Sequence, residues 1–174
     1  MNKLGWKVVP LVRSQDWPAF DCGVPALNDW LRAYAFQSEK SGGARVFTAV
    51  DPDNCVVAYY AITAQSVVAD DAPERLRKGM PRHPIPVLLL ARLAVDVRFK
   101  GQGLGAGLLK NALLRCLNVA REVGVRAVIV DAKNEAARRF YQHFNFEVFP
   151  EDPNHLFLLM KDLTRIVQQL DNDE

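Results

Sequence analysis

The stretch from Val87 to Glu122 changes character twice, and it constrains the fold more than any other part of the chain. Val87 to Val95 is a nearly unbroken apolar run interrupted by Arg92, as expected of a central strand buried on both faces. Glycine then dominates Val97-Arg98-Phe99-Lys100-Gly101-Gln102-Gly103-Leu104-Gly105. From Gly103 to about Glu122, Leu109, Leu113, Cys116, Leu117 and Ala120 fall on one helical face, with Gly124 placed to end the helix. Ala127 to Val130 follows as another buried strand, so the whole stretch predicts a parallel crossover. Closely spaced glycines let backbone N–H groups turn inward with no Cβ in the way, and the next helix adds the positive end of its dipole. Such a cradle suits a pyrophosphate. The loop lacks the Lys-Ser/Thr end of a P-loop. It also fails as GxGxxG, because the sixth position after Gly101 or Gly103 is Ala106 or Leu108. A tight strand–helix turn with no ligand has the same local pattern.

The remaining elements follow from periodicity. Lys7 to Val12 predicts an edge strand, where the missing N–H of Pro10 is tolerated. Leu27, Trp30, Leu31, Tyr34 and Ala35 predict one amphipathic helix over about Pro25 to Ser38, ended by Ser41-Gly42-Gly43. Val46 to Val50 and Val56 to Ile62 predict a hairpin about Asp51-Pro52-Asp53-Asn54. Residues 69–86 carry Pro73, Gly79, Pro81, Pro84 and Pro86 and are expected to be mostly loop, with a short helix at Glu74 to Lys78. Asn134 to Phe144 predicts a helix, and Phe146 to Phe149 and Leu156 to Met160 predict closing strands. Together these give an α/β fold, an α+β arrangement around one mixed sheet with two parallel crossovers in its second half. With 174 residues, 49% of them apolar, one domain over 1–163 is expected, with 164–174 as a helical, fraying tail.

Several function classes fall away. No window is apolar for the eighteen or so residues of a membrane helix, and the N-terminal apolar run is too short for a signal peptide. Cys22, Cys55 and Cys116 form no CxxC pair and are expected as reduced, buried thiols in a cytoplasmic protein. His83, His143 and His155 have no metal-ligand spacing, so no metal is expected. Charge is uneven: residues 75–139 hold fourteen Lys/Arg against four Asp/Glu, whereas the rest hold eight against sixteen. That asymmetry suits a polyanionic ligand, although basic and acidic segments can also neutralise one another across a fold.

The glycine loop resembles the coenzyme A signature of the GNAT superfamily, Q/R-x-x-G-x-G/A, aligned on Lys100, Gly103 and Gly105. Lys100 stands in place of the usual Gln or Arg and lacks the planar donor fork of Arg. Asn134-Glu135-Ala136-Ala137-Arg138-Arg139-Phe140-Tyr141-Gln142-His143-Phe144-Asn145-Phe146 resembles the family's N-x-x-A-x-x-F-Y-x-x-x-G-F segment, with Asn145 for glycine. The resemblance implies the acyl-CoA N-acyltransferase fold and acetyl-CoA as co-substrate. It implies a loop of Lys100, Gly101, Gln102, Gly103, Leu104 and Gly105 around the pyrophosphate. It also implies backbone groups of Leu93 and Val95 aligning the thioester, and Tyr141 protonating the departing thiolate. Asn134 is expected either to touch the cofactor or to cap its helix. Asp131 and Glu135 are candidates for a general base, and spacing singles out neither.

A narrower resemblance spans nearly the whole chain. Phe20-Asp21-Cys22-Gly23, Leu27-Asn28, Trp30-Leu31, Ala58-Tyr59-Tyr60-Ala61-Ile62-Thr63, Pro86-Val87, Leu89-Leu90-Ala91-Arg92-Leu93-Ala94-Val95-Asp96 and Val130-Asp131-Ala132 are similar to the TacT-type toxins of bacterial toxin–antitoxin pairs. Ala58 and Ala91 replace glycines common in that group. The resemblance implies acetylation of the α-amine of aminoacyl-tRNA and control by a ribbon-helix-helix antitoxin, and a homodimer is expected. Two physical points agree with it. The basic middle of the chain suits an extended polyanion, and an α-amine of pKa near 8 needs less help from a base than a lysine amine near 10.4. Arg75, Arg77, Lys78 and Arg82 in the proline-broken segment, and Arg92 in the apolar run, are the expected tRNA contacts. Acetylation of a peptide N-terminus, a polyamine or a drug is the enzymatic alternative. A CoA-binding module without catalysis is the other, with Tyr141 arguing against it.

Overall fold

The computed structural model describes residues 5–13, 15 and 19–172. Its strands are β1 (Lys7–Pro10), β2 (Arg45–Val50), β3 (Val56–Val67), β4 (Ile85–Val95), β5 (Ala127–Asp131), β6 (Glu147–Phe149) and β7 (Asp152–Leu159). The helices are α1 (Pro25–Ala33), α2 (Ala35–Ser41), α3 (Glu74–Arg77), α4 (Leu104–Glu122), α5 (Glu135–His143) and α6 (Met160–Asn172). The strands form one mixed sheet in the order β1-β2-β3-β4-β5-β7-β6, as the sequence predicts in kind. Two compact units divide the chain. One comprises the residues up to Thr63 with Arg92–Ala112, and the other Ala64–Ala91 with Leu113 onward.

In the first unit β1 lies at the sheet edge and pairs antiparallel with β2, Pro10 opposite Phe47. The β2–β3 hairpin turns on Asp51, whose Oδ1 accepts from the amides of Asp53 and Cys55, both at 2.9 Å, and on Asn54 at φ 64°. The predicted single helix is two. α1 starts with Pro25 in its first turn and stops at Tyr34 (φ −124°, ψ −19°), and α2 runs on to Ser41. Leu31 and Ala35 are both fully buried in the same core, with Phe20, Val46, Tyr59 and Ala94. The chain breaks at exposed Tyr34, and each short helix sets an apolar residue in that core. Gly42 ends α2 at φ 79°, with the Gly43 amide bonded to Ser38 O.

In the second unit β4 and β5 are parallel over Val87–Leu90 and Ala127–Val130, which confirms the first crossover. The second differs from expectation. β6 does run parallel to β5, but β7 lies between them, antiparallel to both. Hydrogen-bonded parallel pairing therefore occurs once in the region where two were predicted. β4 is also less buried than predicted: Leu89, Ala91, Arg92, Leu93 and Val95 are half-buried. β3 extends to Val67 and β7 begins at Asp152, both beyond their apolar runs; Asp152 is paired with Phe149 of β6. Met160, expected in the last strand, starts α6, whose Leu163 and Ile166 are buried. Thus the described part of 164–174 continues a docked helix. α4 ends at Glu122, and Gly124 is not in the left-handed region that a glycine cap adopts. Cys55 is half-buried, whereas Cys22 and Cys116 are buried.

The short α3 survives because Arg126 caps it. Its Nε donates to Leu76 O at 3.0 Å, and its Nη2 to Arg75 O and Lys78 O at 3.1 and 2.9 Å. A guanidinium on the last carbonyls of a helix meets both their lone pairs and the negative end of the dipole. Leu76, fully buried beside Ile85, Ile129 and Phe157, supplies the packing. Arg126→Ala should lower unfolding free energy by about 1–3 kcal/mol, read from urea denaturation, and raise amide exchange in residues 74–80. Arg126→Lys should recover only part of this, for lack of the fork.

Candidate active site

The glycine loop is held from beneath by a buried carboxylate. Asp96 closes β4 with its side chain 1% exposed and caps a 3-10 turn at Val97–Phe99. Its Oδ1 accepts from the Arg98 amide and Nε, both at 2.9 Å, and its Oδ2 from Arg98 Nη2 at 3.0 Å and the Asp21 amide at 3.2 Å. Burial pushes this carboxyl up, but the Arg98 hydrogen bonds, the backbone donors and the Arg98 charge outweigh it and hold its pKa below the ordinary value. Asp21 in turn binds the Gly23 amide and Asn28 Nδ2 through Oδ1, both at 2.9 Å, and its carbonyl accepts from Val97 N at 2.8 Å. Lys100 Nζ donates to Cys22 O at 2.9 Å. The segment Phe20–Gly23 and the loop 96–100 are therefore one hydrogen-bonded piece.

On that base, Gly101 and Gly103 take φ of 77° and 81°, the left-handed region where a Cβ is strained. A Cβ built on either would meet nothing within 4 Å, so both face open space. Gly105 lies inside the first turn of α4. The Gly107 amide reaches Gly103 O at 3.1 Å, so the N–H groups of Leu104, Gly105 and Ala106 precede the first α-helical bond of α4. Leu104 is 1% exposed and fixes the helix start in the core. Gln102 Nε2 sits 3.4 Å from Arg98 O. Sequence reasoning found these glycines but missed Asp96, Asp21 and Asn28. Their partners stand up to 75 residues away, and no local pattern announces them.

In the second unit, Tyr141 lies on α5. Asn134 caps this helix, its Oδ1 accepting from the Ala137 amide at 2.8 Å. Capping is thus what the structure shows for Asn134. The helix ends in a left-handed Asn145 at φ 66°, as its replacement of glycine predicts, with Phe146 N on Tyr141 O at 3.1 Å. Tyr141 is 6% exposed, packed edge-on against Phe140 and Phe146. Burial raises its phenol pKa. Among the described residues no group hydrogen bonds its hydroxyl, whereas buried Tyr59 donates to Leu27 O at 2.7 Å and Tyr60 to Asn111 Oδ1 at 2.5 Å. The two base candidates are occupied. Glu135 holds Arg139 at 2.6 Å and Arg138 at 3.5 Å, and Asp131 is bonded to His155 Nδ1, which lowers its pKa.

A family model for the acetyltransferase (GNAT) domain matches residues 43–148. The chain belongs to the GNAT acetyltransferase family. This acetyltransferase is 46% identical over 154 residues to the tRNA-acetylating toxin of Mycobacterium tuberculosis, across 88% of this chain and 92% of that one. It is 29% identical over 152 residues to a probable toxin TacT of Sinorhizobium fredii, across 82% and 84% of the two chains. Among solved structures, a mutant of KacT matches with TM-score 0.87 at 25% identity, covering 93% of this chain and 99% of that one. AtaT complexed with acetyl-methionyl-tRNAfMet matches with TM-score 0.83 at 28% identity, covering 92% and 98%.

The acetyl donor of the acetyltransferase is acetyl-CoA, whose thioester supplies an activated acetyl group. The residues present fit it: two left-handed glycines before open space and the free amides of a helix N-terminus are suited to a pyrophosphate. The predicted basic residues differ in availability. Arg77, Lys78 and Arg82 are exposed and make no ion pair among the described residues. Arg75 is bound to Glu147 and, at 3.2 Å, to Asp162.

Because the Asp96 pKa is lower folded than unfolded, its contribution is present above about pH 4 and is lost as pH falls through the folded value. Asp96→Asn should cost about 2 kcal/mol at neutral pH and remove that part of the acid dependence, measured by urea melts from pH 7 to 3. Gly103→Val places a β-branched residue at φ 81° and should abolish acetyl-CoA binding in a domain that remains folded, as calorimetry and circular dichroism would record.

Proposed function

We propose that this acetyltransferase is a toxin that moves the acetyl group of acetyl-CoA to the α-amine of an aminoacyl-tRNA and so blocks translation. The observation that carries the reading is the 46% identity to a tRNA-acetylating toxin over 88% of the chain. The structural likeness to AtaT complexed with acetyl-methionyl-tRNAfMet supports it. An antitoxin partner is proposed on the likeness to AtaT bound to the C-terminus of AtaR and to a KacTA–DNA complex. A ribbon-helix-helix architecture for that antitoxin, a homodimeric toxin and a cytoplasmic location complete the proposal.

Within it, backbone amides at Gly101 to Gly105 hold the pyrophosphate, while Lys100 steadies the loop from the Cys22 carbonyl. The backbone of Leu93 and Val95 aligns the thioester; the β4–β5 ladder ends at Leu90, before them. Tyr141 donates its hydroxyl proton to the departing thiolate. A phenol keeps its proton at neutral pH, and the hydroxyl, unclaimed among the described residues, is available for the transfer. The α-amine, of pKa near 8 and lower beside an ester, is neutral often enough to attack without Glu135 or Asp131 as a base. Arg77, Lys78 and Arg82 contact the tRNA backbone, and Arg75 anchors the segment that carries them.

Tyr141→Phe should lower turnover about 10²–10⁴-fold with acetyl-CoA affinity unchanged. Single-turnover transfer from labelled acetyl-CoA to a charged tRNA pool measures both, and activity within about threefold of wild type would exclude Tyr141 as the acid. Replacing Arg77, Lys78 and Arg82 together by Ala should weaken tRNA binding and reduce its salt slope by about 2–3, sparing acetyl-CoA. Transfer to peptide N-termini with none to charged tRNA would overturn the substrate assignment.

A further inference from the structure

Arg92 shares a perch on an aromatic ring with Arg13, which lies 4.6 Å over Phe36, but Arg13 is exposed and Arg92 is half-buried. Arg98 is forked onto Asp96, Arg45 is bonded to Glu39, and Arg32 donates to Phe20 O. The Arg92 guanidinium is instead laid over the Trp30 ring, 4.1 Å from its centre. Trp30 is stacked on Tyr59 at 5.9 Å and 11°, and Tyr59 is fixed by its hydroxyl to Leu27 O at 2.7 Å. Tyr59, Trp30 and the guanidinium therefore form a three-layer stack that holds one face of the cation. Among the described residues nothing accepts a hydrogen bond from its nitrogens. Arg92 is half-buried, and the loss of water pulls its pKa below the usual arginine value, with Tyr59 opposing. A cation partly stripped of water and given no anion is costly, and five N–H donors stay unspent.

We propose that the Arg92 guanidinium, presented on Trp30, is a binding site for a phosphodiester in the single-stranded 3′ end of the nucleic-acid substrate. The identity of that substrate rests on the aminoacyl-tRNA reading above; the phosphate chemistry does not. A planar fork carried on an aromatic ring matches two phosphate oxygens at once, which a lysine ammonium cannot do. Arg92 also adjoins Leu93 in β4, so a phosphate held there sets the position of the 3′ end relative to the strand proposed to align the thioester. The exposed cations Arg77, Lys78 and Arg82 add affinity for any polyanion. Arg92 selects a substrate with a phosphate close to its acylated end.

The test compares wild type with Arg92→Gln, Arg92→Lys and Trp30→Leu, with acetyl-CoA affinity and thermal melting as controls for folding. Binding of the single-stranded RNA ACCA is titrated at several salt concentrations. KM is measured for aminoacyl-tRNA and for a phosphate-free aminoacyl ester of adenosine. Arg92→Gln should reduce the salt slope by about one and raise KM for aminoacyl-tRNA about tenfold, the loss being confined to the substrate that carries phosphate. Arg92→Lys should keep the slope and recover part of the affinity, and Trp30→Leu should lose part of it. Superimposable salt titrations of wild type and Arg92→Gln overturn the site, as does an equal rise in KM for both substrates. An Arg92-dependent salt slope without acetylation of either substrate supports the phosphate site and overturns the aminoacyl-tRNA reading. Acetylation of both substrates independently of Arg92 does the reverse.

Discussion

The buried charge of Asp96 is the constraint around which the glycine loop is arranged. A carboxylate with 1% of its side chain exposed is tolerable only if its lone pairs are met, and Arg98, its amide and the Asp21 amide meet them. Meeting them fixes the 3-10 turn at Val97–Phe99 and brings Phe20–Gly23 against it. Lys100 then closes the same piece through Cys22 O. Two left-handed glycines and a helix N-terminus are mobile features in isolation; on this base they are held in one place, as binding a doubly charged pyrophosphate requires. The cation at position 100 thus serves loop geometry.

The three buried tyrosines show how residues of one type come to different work. Tyr59 and Tyr60 give their hydroxyls to Leu27 O and Asn111, and they stabilise packing. Tyr141 is equally enclosed by aromatic rings, yet its hydroxyl has no partner among the described residues. Burial raises the pKa of that phenol. An unpartnered hydroxyl separates it from the two structural tyrosines.

The arginines divide in the same way. Arg126 caps α3, Arg75 joins Glu147 and Asp162, and Arg139 pairs with Glu135, so a large part of the basic middle of the chain is consumed internally. Net positive charge over residues 75–139 is therefore a poor guide to which cations meet a ligand. Exposure without a carboxylate partner, at Arg77, Lys78 and Arg82, and a half-buried stack at Arg92 are better ones.

The sequence by itself determined what depends on neighbours in the chain. The apolar run of β4, the periodicity of α4, the glycines of the loop and the left-handed Asn145 all follow from local backbone sterics and hydrogen bonding. With the two family segments, they made the fold class legible and marked the glycine loop as the candidate cofactor site. Tertiary structure decided what depends on distant partners. It split the first helix at Tyr34, and it inserted β7 between β5 and β6 because strand order is set by packing. It joined Asp96 to Asp21 across 75 residues, set Arg92 on Trp30, and turned Arg75 and Arg126 inward. Such pairings carry no local signature, since the free energy of a buried charge depends on which groups the folded chain brings to it.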